Sequence, residues 1–226
     1  MTAVIATGNQ SCYGNGMKIN VEVEITKGIG IHLVGLKDTE TRDCLLRVAT
    51  ALQKLGYGIP GKKIEINVRP SNARVNYPEG YDLPVAIGLL IASGQINVSD
   101  KIDLATCSFY GMLDTDGGIR DYSHCGHAVA SAAAMRFTGT GVRPILVTGE
   151  ATAMQACSRL DVKTMSFEYL SDVIAYLEGR KDGVKELVWN TDAFKRLVGY
   201  ANQAVWLEKV DARLENEKKT LPNPEK

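Results

Sequence analysis

A chain of 226 residues, 45% of them hydrophobic, can bury a sizeable core, and its length fits one domain with an appendage. Its 26 Lys and Arg are matched by 26 Asp and Glu, which excludes an overall field that would draw in nucleic acid or an anionic membrane; any such contact needs a local patch. No apolar run approaches the roughly 18 residues of a membrane-spanning helix, the N-terminus has no signal-peptide pattern, and Cys12, Cys44, Cys107, Cys125 and Cys157 show no paired spacing, so we expect a cytoplasmic protein whose cysteines are small buried residues rather than disulfides.

The opening TAVIATG alternates weakly and reads as an edge strand, followed by a Gly14-Asn15-Gly16 turn. In MKINVEVEITKG the alternation is strict: Ile19, Val21, Val23 and Ile25 face one way, Asn20, Glu22, Glu24 and Thr26 the other. IGIHLVGL gives a third strand, and the three together read as a meander with one wet face. From Asp38 to Leu55 the period changes to that of a helix with Leu45, Val48, Leu52 and Leu55 on its apolar stripe, closed by Gly56. KKIEINVRP is the next strand.

Tyr77, Pro78, Glu79 and Gly80 then form a turn. Asp82 is placed to cap the helix that follows, and Pro84 falls in its first turn, where a missing N–H costs little. From Val85 to Ala92 almost every side chain is apolar, which predicts a helix surrounded by protein. ATCSFYGML reads as a strand, GGIRDY as a short hairpin arm and HAVASAAAM as an alanine-rich helix. RPILVT, GEATAMQACSRL, VKTMSF and EYLSDVIAYLEG alternate strand and helix, the pattern of a parallel α/β flank. A polar stretch places a boundary near residue 183. Beyond it Asn190 or Thr191 caps a helix running to about Lys218, with Phe194, Leu197, Val198, Ala201, Val205 and Leu207 as a stripe suited to docking or self-association, and TLPNPEK reads as a disordered tail.

The stretch VEVEITKGIGIHLVGL, the helix TRDCLLRVATALQKLGY, the segment IPGKKIEINVRPSNARVNYPEGYDLPVAIGLLIASGQI and the later YGMLDTDGGIRDY resemble, in that order, the N-terminal domain of the magnesium-chelatase-like family that includes the competence protein ComM. The resemblance covers about residues 1–180. It implies an α/β fold of the ribosomal-protein-S5-domain-2 type, shared with the proteolytic domain of Lon; residues 184–226, read from their own pattern as a helical extension, carry no part of the resemblance. In ComM this domain precedes an AAA+ ATPase that drives branch migration on DNA. No segment of the 226 residues matches that ATPase, so a motor is expected to be separately encoded.

The resemblance raises the question of Lon-like chemistry, in which a serine near the start of the central helix is activated by a lysine. Asp82-Leu83-Pro84-Val85-Ala86 puts Val85 in the serine's place, and valine cannot attack a carbonyl. The turn that would carry the lysine reads DGGIRDYSHCGHAVA; residues 121 to 130 hold no lysine, and Arg120, the nearest cation, does not deprotonate usefully. The competing reading is a degenerate peptidase using Ser71 or Ser108 with Lys62 or Lys101.

Two further patterns are weighed from the residues. GYGIPGKK satisfies both Gly56-x-Gly58-x-x-Gly61 and Gly56-x4-Gly61-Lys62, but dinucleotide and P-loop sites need a strand before the glycines and a helix after, and here the order is reversed. His124, Cys125 and His127 have metal-like spacing without companion ligands, so helix capping by Ser123 is the simpler account and neither metal nor cofactor is expected. The remaining candidate is a mildly basic group, Lys62, Lys63, Arg69, Arg74 and, if helix N-termini converge, Arg120, suited to phosphate or single-stranded nucleic acid although interleaved aromatics are few. The expectation is a non-catalytic binding or assembly module, self-associating as relatives in this fold class do, and accessory to an AAA+ ATPase or a DNA-processing complex.

Overall fold

The computed structural model describes residues 2–10, 16–69, 78–120, 144–156 and 162–180. Strand β1 (Thr2–Gln10) and strand β2 (Gly16–Thr26) pair antiparallel, with Gln10 opposite Gly16. Strand β3 (Gly30–Val34), helix α1 (Asp38–Lys54) and strand β4 (Lys63–Arg69) follow. The sheet order is β1-β2-β4-β3, with β4 antiparallel to β2 and parallel to β3. The expected meander is therefore corrected. A parallel return needs a crossover, α1 supplies it, and β4 inserts between two strands that are neighbours in sequence.

Alternation sets the two faces of this sheet. Ile19, Val21, Val23 and Ile25 of β2 and Ile64, Ile66 and Val68 of β4 are buried, while Glu22, Glu24, Glu65 and Asn67 line the other side. Against the apolar face lies helix α2 (Asp82–Ser93), whose residues from Asp82 to Leu90 are all buried. A helix buried all round is what its unbroken apolar run predicts, and each fully buried Leu or Ile contributes about 2 kcal/mol. Close approach depends on Gly88, since a Cβ there would meet Val23 Cγ2 at 2.7 Å.

Helix α1 packs on α2 through Cys44, Val48, Ala51 and Leu52. The apolar stripe read from the sequence is thus rotated: Leu45 and Leu55 are only partly buried, and the small Cys44 and Ala51 take the inner positions where the two helices meet. Gly56, at φ +83°, closes α1 as expected, with its N–H donated to Gln53 O and that of Tyr57 to Leu52 O.

Strands β5 (Cys107–Tyr110), β8 (Ile145–Thr148) and β9 (Lys163–Ser166) form a second, wholly parallel sheet in the order β5-β8-β9. Helix α3 (Glu150–Ala156) joins β8 to β9, and helix α4 (Leu170–Leu177) follows, so the α/β flank is as read. The short hairpin is present as β6 (Met112–Leu113) and β7 (Ile119–Arg120). The result is a mixed α/β fold with antiparallel and parallel sheets. No helix among the described residues is long and apolar enough to cross a membrane. The alanine-rich segment, His124, Cys125, His127, the boundary near 183 and the 184–226 extension lie outside the described residues.

Candidate functional site

The start of α2 holds the one buried charged residue among those described. Residues 78–81 make a 3-10 turn that runs straight into the helix, so Tyr81 takes the position before its first residue and Asp82 becomes that first residue. Asp82 does not cap the helix, contrary to the sequence reading. Its side chain points inward, fully buried, where Oδ2 accepts from Arg47 Nε at 2.6 Å and Oδ1 from Arg47 Nη2 at 3.1 Å. Oδ2 also accepts from the backbone N–H of Leu113 at 3.1 Å. The bridge ties α1, α2 and β6 together.

Burial pushes the Asp82 carboxyl above the usual carboxylate range, against the downward pull of Arg47, the Leu113 N–H and the Cys44 thiol. In turn the bond to Asp82 pushes Arg47 up, and burial beside that carboxyl pushes Cys44 well above an ordinary thiol. The forked, two-bond geometry is that of an ion pair. One turn further along α2, Val85 is completely buried. The residue that the sequence reading sets in the place of a Lon-like nucleophile is therefore aliphatic and closed to solvent.

The other serine proposed for peptide chemistry, Ser108, is on β5; its buried hydroxyl makes no hydrogen bond. Lys62 and Lys101 are exposed. Ser71 lies outside the described residues. Between α1 and β4 the GYGIPGKK segment has helix before and strand after, as read, the reverse of the order a phosphate-binding loop needs.

The basic candidates are dispersed. Lys63 begins β4 and Arg69 ends it, about 20 Å apart at strand rise. Lys63 pairs with Glu65 at 2.9 Å and Arg69 with Glu22 at 3.1 Å, so Glu22, Glu24 and Glu65 share their sheet face and a phosphate would have to displace carboxylates. Arg120 is on β7, paired with Asp114 at 2.5 Å. Lys62 has no ion pair among the described residues and borders a shallow depression with Ile25, Thr26, Lys27, Gly28 and Gly61. Arg74 lies outside the described residues, among which no cluster of three or more His, Cys, Asp or Glu is arranged for a metal.

Cys44 and Cys107 are free and buried. Burial raises the Cys107 thiol from 9.0 to about 11, with Thr106 and Lys163 pulling the other way. A raised folded value means that the neutral thiol is favoured by folding, so this stabilisation is complete below pH 9 and lost as pH rises toward 11, about 2 kcal/mol by pH 11. Urea titrations at successive pH values should show that decline, and Cys107→Ala should show a smaller one, whatever its absolute stability. An identical decline in the variant would refute the assignment.

Residues 21–144 match the family described as subunit ChlI of Mg-chelatase. The chain is 32% identical over 169 residues to the uncharacterized protein YifB of Salmonella typhimurium, which covers 74% of this chain and 31% of that protein. It is 44% identical over 109 residues to YifB of Escherichia coli, covering 47% and 20% respectively. Against the competence protein ComM of Haemophilus influenzae it is 28% identical over 166 residues, covering 72% and 30%. The chain thus spans a third or less of the length of these relatives.

Proposed function

This chain belongs to the family of subunit ChlI of Mg-chelatase, and from that premise we propose that it is a non-catalytic binding and assembly module, working like the N-terminal domain of ComM-like proteins in company with an AAA+ ATPase of a DNA-processing complex. The observation that carries this reading is the start of α2, where a buried valine and an engaged ion pair occupy the ground a Ser–Lys dyad would need. Such a site holds helices in place and has neither a nucleophile nor a free base to offer. The paired cations on the outer sheet face support a protein partner over direct contact with phosphates, because each is already neutralised by a neighbouring glutamate.

Tagged chain expressed in its native cells should co-purify with an AAA+ ATPase identifiable by mass spectrometry, and the purified chain should neither cleave unfolded casein nor turn over ATP alone. Casein cleavage by the purified chain would overturn the proposal. So would a salt-sensitive shift of labelled single-stranded DNA by the chain with no ATPase recovered, which would make nucleic acid the direct ligand.

A further inference from the structure

The β2–β4 ladder ends with Thr26 opposite Lys63, so the residues that leave it on the two strands are Lys27 and Lys62. Both are exposed, and both line one open depression of about 450 Å³ together with Ile25, Thr26, Gly28 and Gly61. Like charges facing each other across neighbouring strands destabilise a sheet. Lys37, Arg47, Lys63, Arg69, Arg120 and Arg180 each have an ion pair, whereas Lys27 and Lys62 have none among the described residues. The end of the ladder therefore carries two uncompensated positive charges.

Main-chain groups add to that charge. Gly28, at φ +128°, turns the chain off β2 so close to β4 that a Cβ on it would lie 3.2 Å from Lys63 Cβ. On the other strand a Cβ on Gly61 would meet nothing within 4 Å, so that wall is bare backbone. Neither the Gly28 N–H nor the Gly61 N–H donates a hydrogen bond to a described residue. Free main-chain N–H groups in a concave turn favour anions, as lysine ammoniums do. The charge is also confined. Lys63 and Arg69, further along β4, are already engaged by Glu65 and Glu22, so there is no run of free cations on β4 for the successive phosphates of a nucleic-acid strand.

We propose that this depression binds the phosphoryl end of a small molecule, a phosphomonoester or a diphosphate, with Lys27 and Lys62 donating from the two strands and Gly28 and Gly61 from the main chain. The lysines set the sign of the ligand, and the glycines let its oxygens approach the backbone. Ile25 gives the same depression an apolar wall for the group that carries the phosphoryl. The site uses none of the residues at the buried start of α2 and does not depend on the reading of the chain as an assembly module.

Inorganic phosphate and pyrophosphate are the probes, titrated into the full chain by isothermal calorimetry at an ionic strength fixed with chloride. At least one should bind saturably at a single site, and the tighter of the two distinguishes a phosphomonoester from a diphosphate. Lys27→Ala with Lys62→Ala should weaken that binding at least about tenfold, while Lys101→Ala, at an exposed position on another segment, should leave it unchanged. Stability supplies a second readout. In chloride alone Lys62→Gln should raise the urea midpoint, because it removes one of two repelling charges, and the bound probe should raise the wild-type midpoint more than that of the variant. No saturable binding, equal weakening by Lys101→Ala, a lower midpoint for Lys62→Gln in chloride, or an equal rise with the probe in both proteins overturns the proposal. A single-stranded oligonucleotide that binds through the same two lysines at least about tenfold more tightly than pyrophosphate also overturns it, since the lysines then serve a polyanion. These readouts are independent of ATPase capture, so the site and the function proposed above can fail separately.

Discussion

Replacing Gly80 with alanine is expected to destabilise this protein more than any other single-methyl substitution at its described glycines. The added Cβ would sit 2.1 Å from Tyr110 Cε2, 2.3 Å from Cζ and 2.6 Å from Cδ2, far inside contact distance. Tyr110 cannot simply swing aside: it is buried in the second sheet with Leu146, Ala156 and Val162. Nor can the turn lift away, because Gly111 donates its N–H to Gly80 O and Leu83 donates to Gly111 O, so moving Gly80 unpicks the backbone bonds that seat the start of α2 on the end of β5. Overpacking of a closed core costs about 1–3 kcal/mol, and a clash against a fixed ring lies at or above the top of that range. The urea midpoint of Gly80→Ala should fall accordingly, and Gly80→Ala with Tyr110→Leu, which removes the ring, should recover part of the loss. A midpoint within error of wild type for Gly80→Ala would show that the turn and ring are not packed as described.

How much of this was legible beforehand divides along physical lines. Periodicity is a local signal, and it found β2, β4, the buried helix α2 and the parallel flank because each carries its own pattern within ten or so residues. Strand order is not local. Nothing between residues 16 and 69 states that β4 enters between β2 and β3; the only clue was that a helix-length segment separates β3 from β4, which favours a parallel return over another hairpin. Side-chain roles at element boundaries depended on one backbone detail. The 3-10 turn at residues 78–81 shifts Asp82 from before the helix to its first position, and that shift turns a solvent-facing cap into a buried carboxylate.

The basic residues show the same division. Lys63, Arg69 and Arg120 were grouped by closeness in sequence or by an expected convergence, yet a strand separates its ends by its whole length and each cation has a carboxylate nearer to it than any of the others. The overlooked residue, Arg47, did leave a trace. It lies three positions after Cys44 and one before Val48, beside the inner stripe of α1, while an aspartate stands at the head of a nine-residue buried run. A buried carboxylate demands a cation, and only a residue on the packed side of a neighbouring helix could supply one.

That pair gives the second large expected effect. Arg47→Ala should cost about 3–5 kcal/mol, because it leaves the Asp82 carboxylate in a site with no access to water and, among the described residues, only the Leu113 N–H and the Cys44 thiol as partners. Arg47 itself retains 25% side-chain exposure, so the reverse change, Asp82→Ala, strands a cation that can still reach solvent and should cost less. The asymmetry separates a buried charge from a surface ion pair, for which either removal would cost under about 1 kcal/mol. Replacing both at once, Arg47→Met with Asp82→Leu, removes the unpaired charge along with its partner and should lie closer to wild type than Arg47→Ala alone, since hydrophobic residues of similar volume often substitute for buried pairs without loss. Denaturation of the three variants at pH 7 supplies the comparison. Equal losses for the two alanine variants, or a double variant less stable than Arg47→Ala, would mean that the bridge does not hold α1, α2 and β6 together through a desolvated charge.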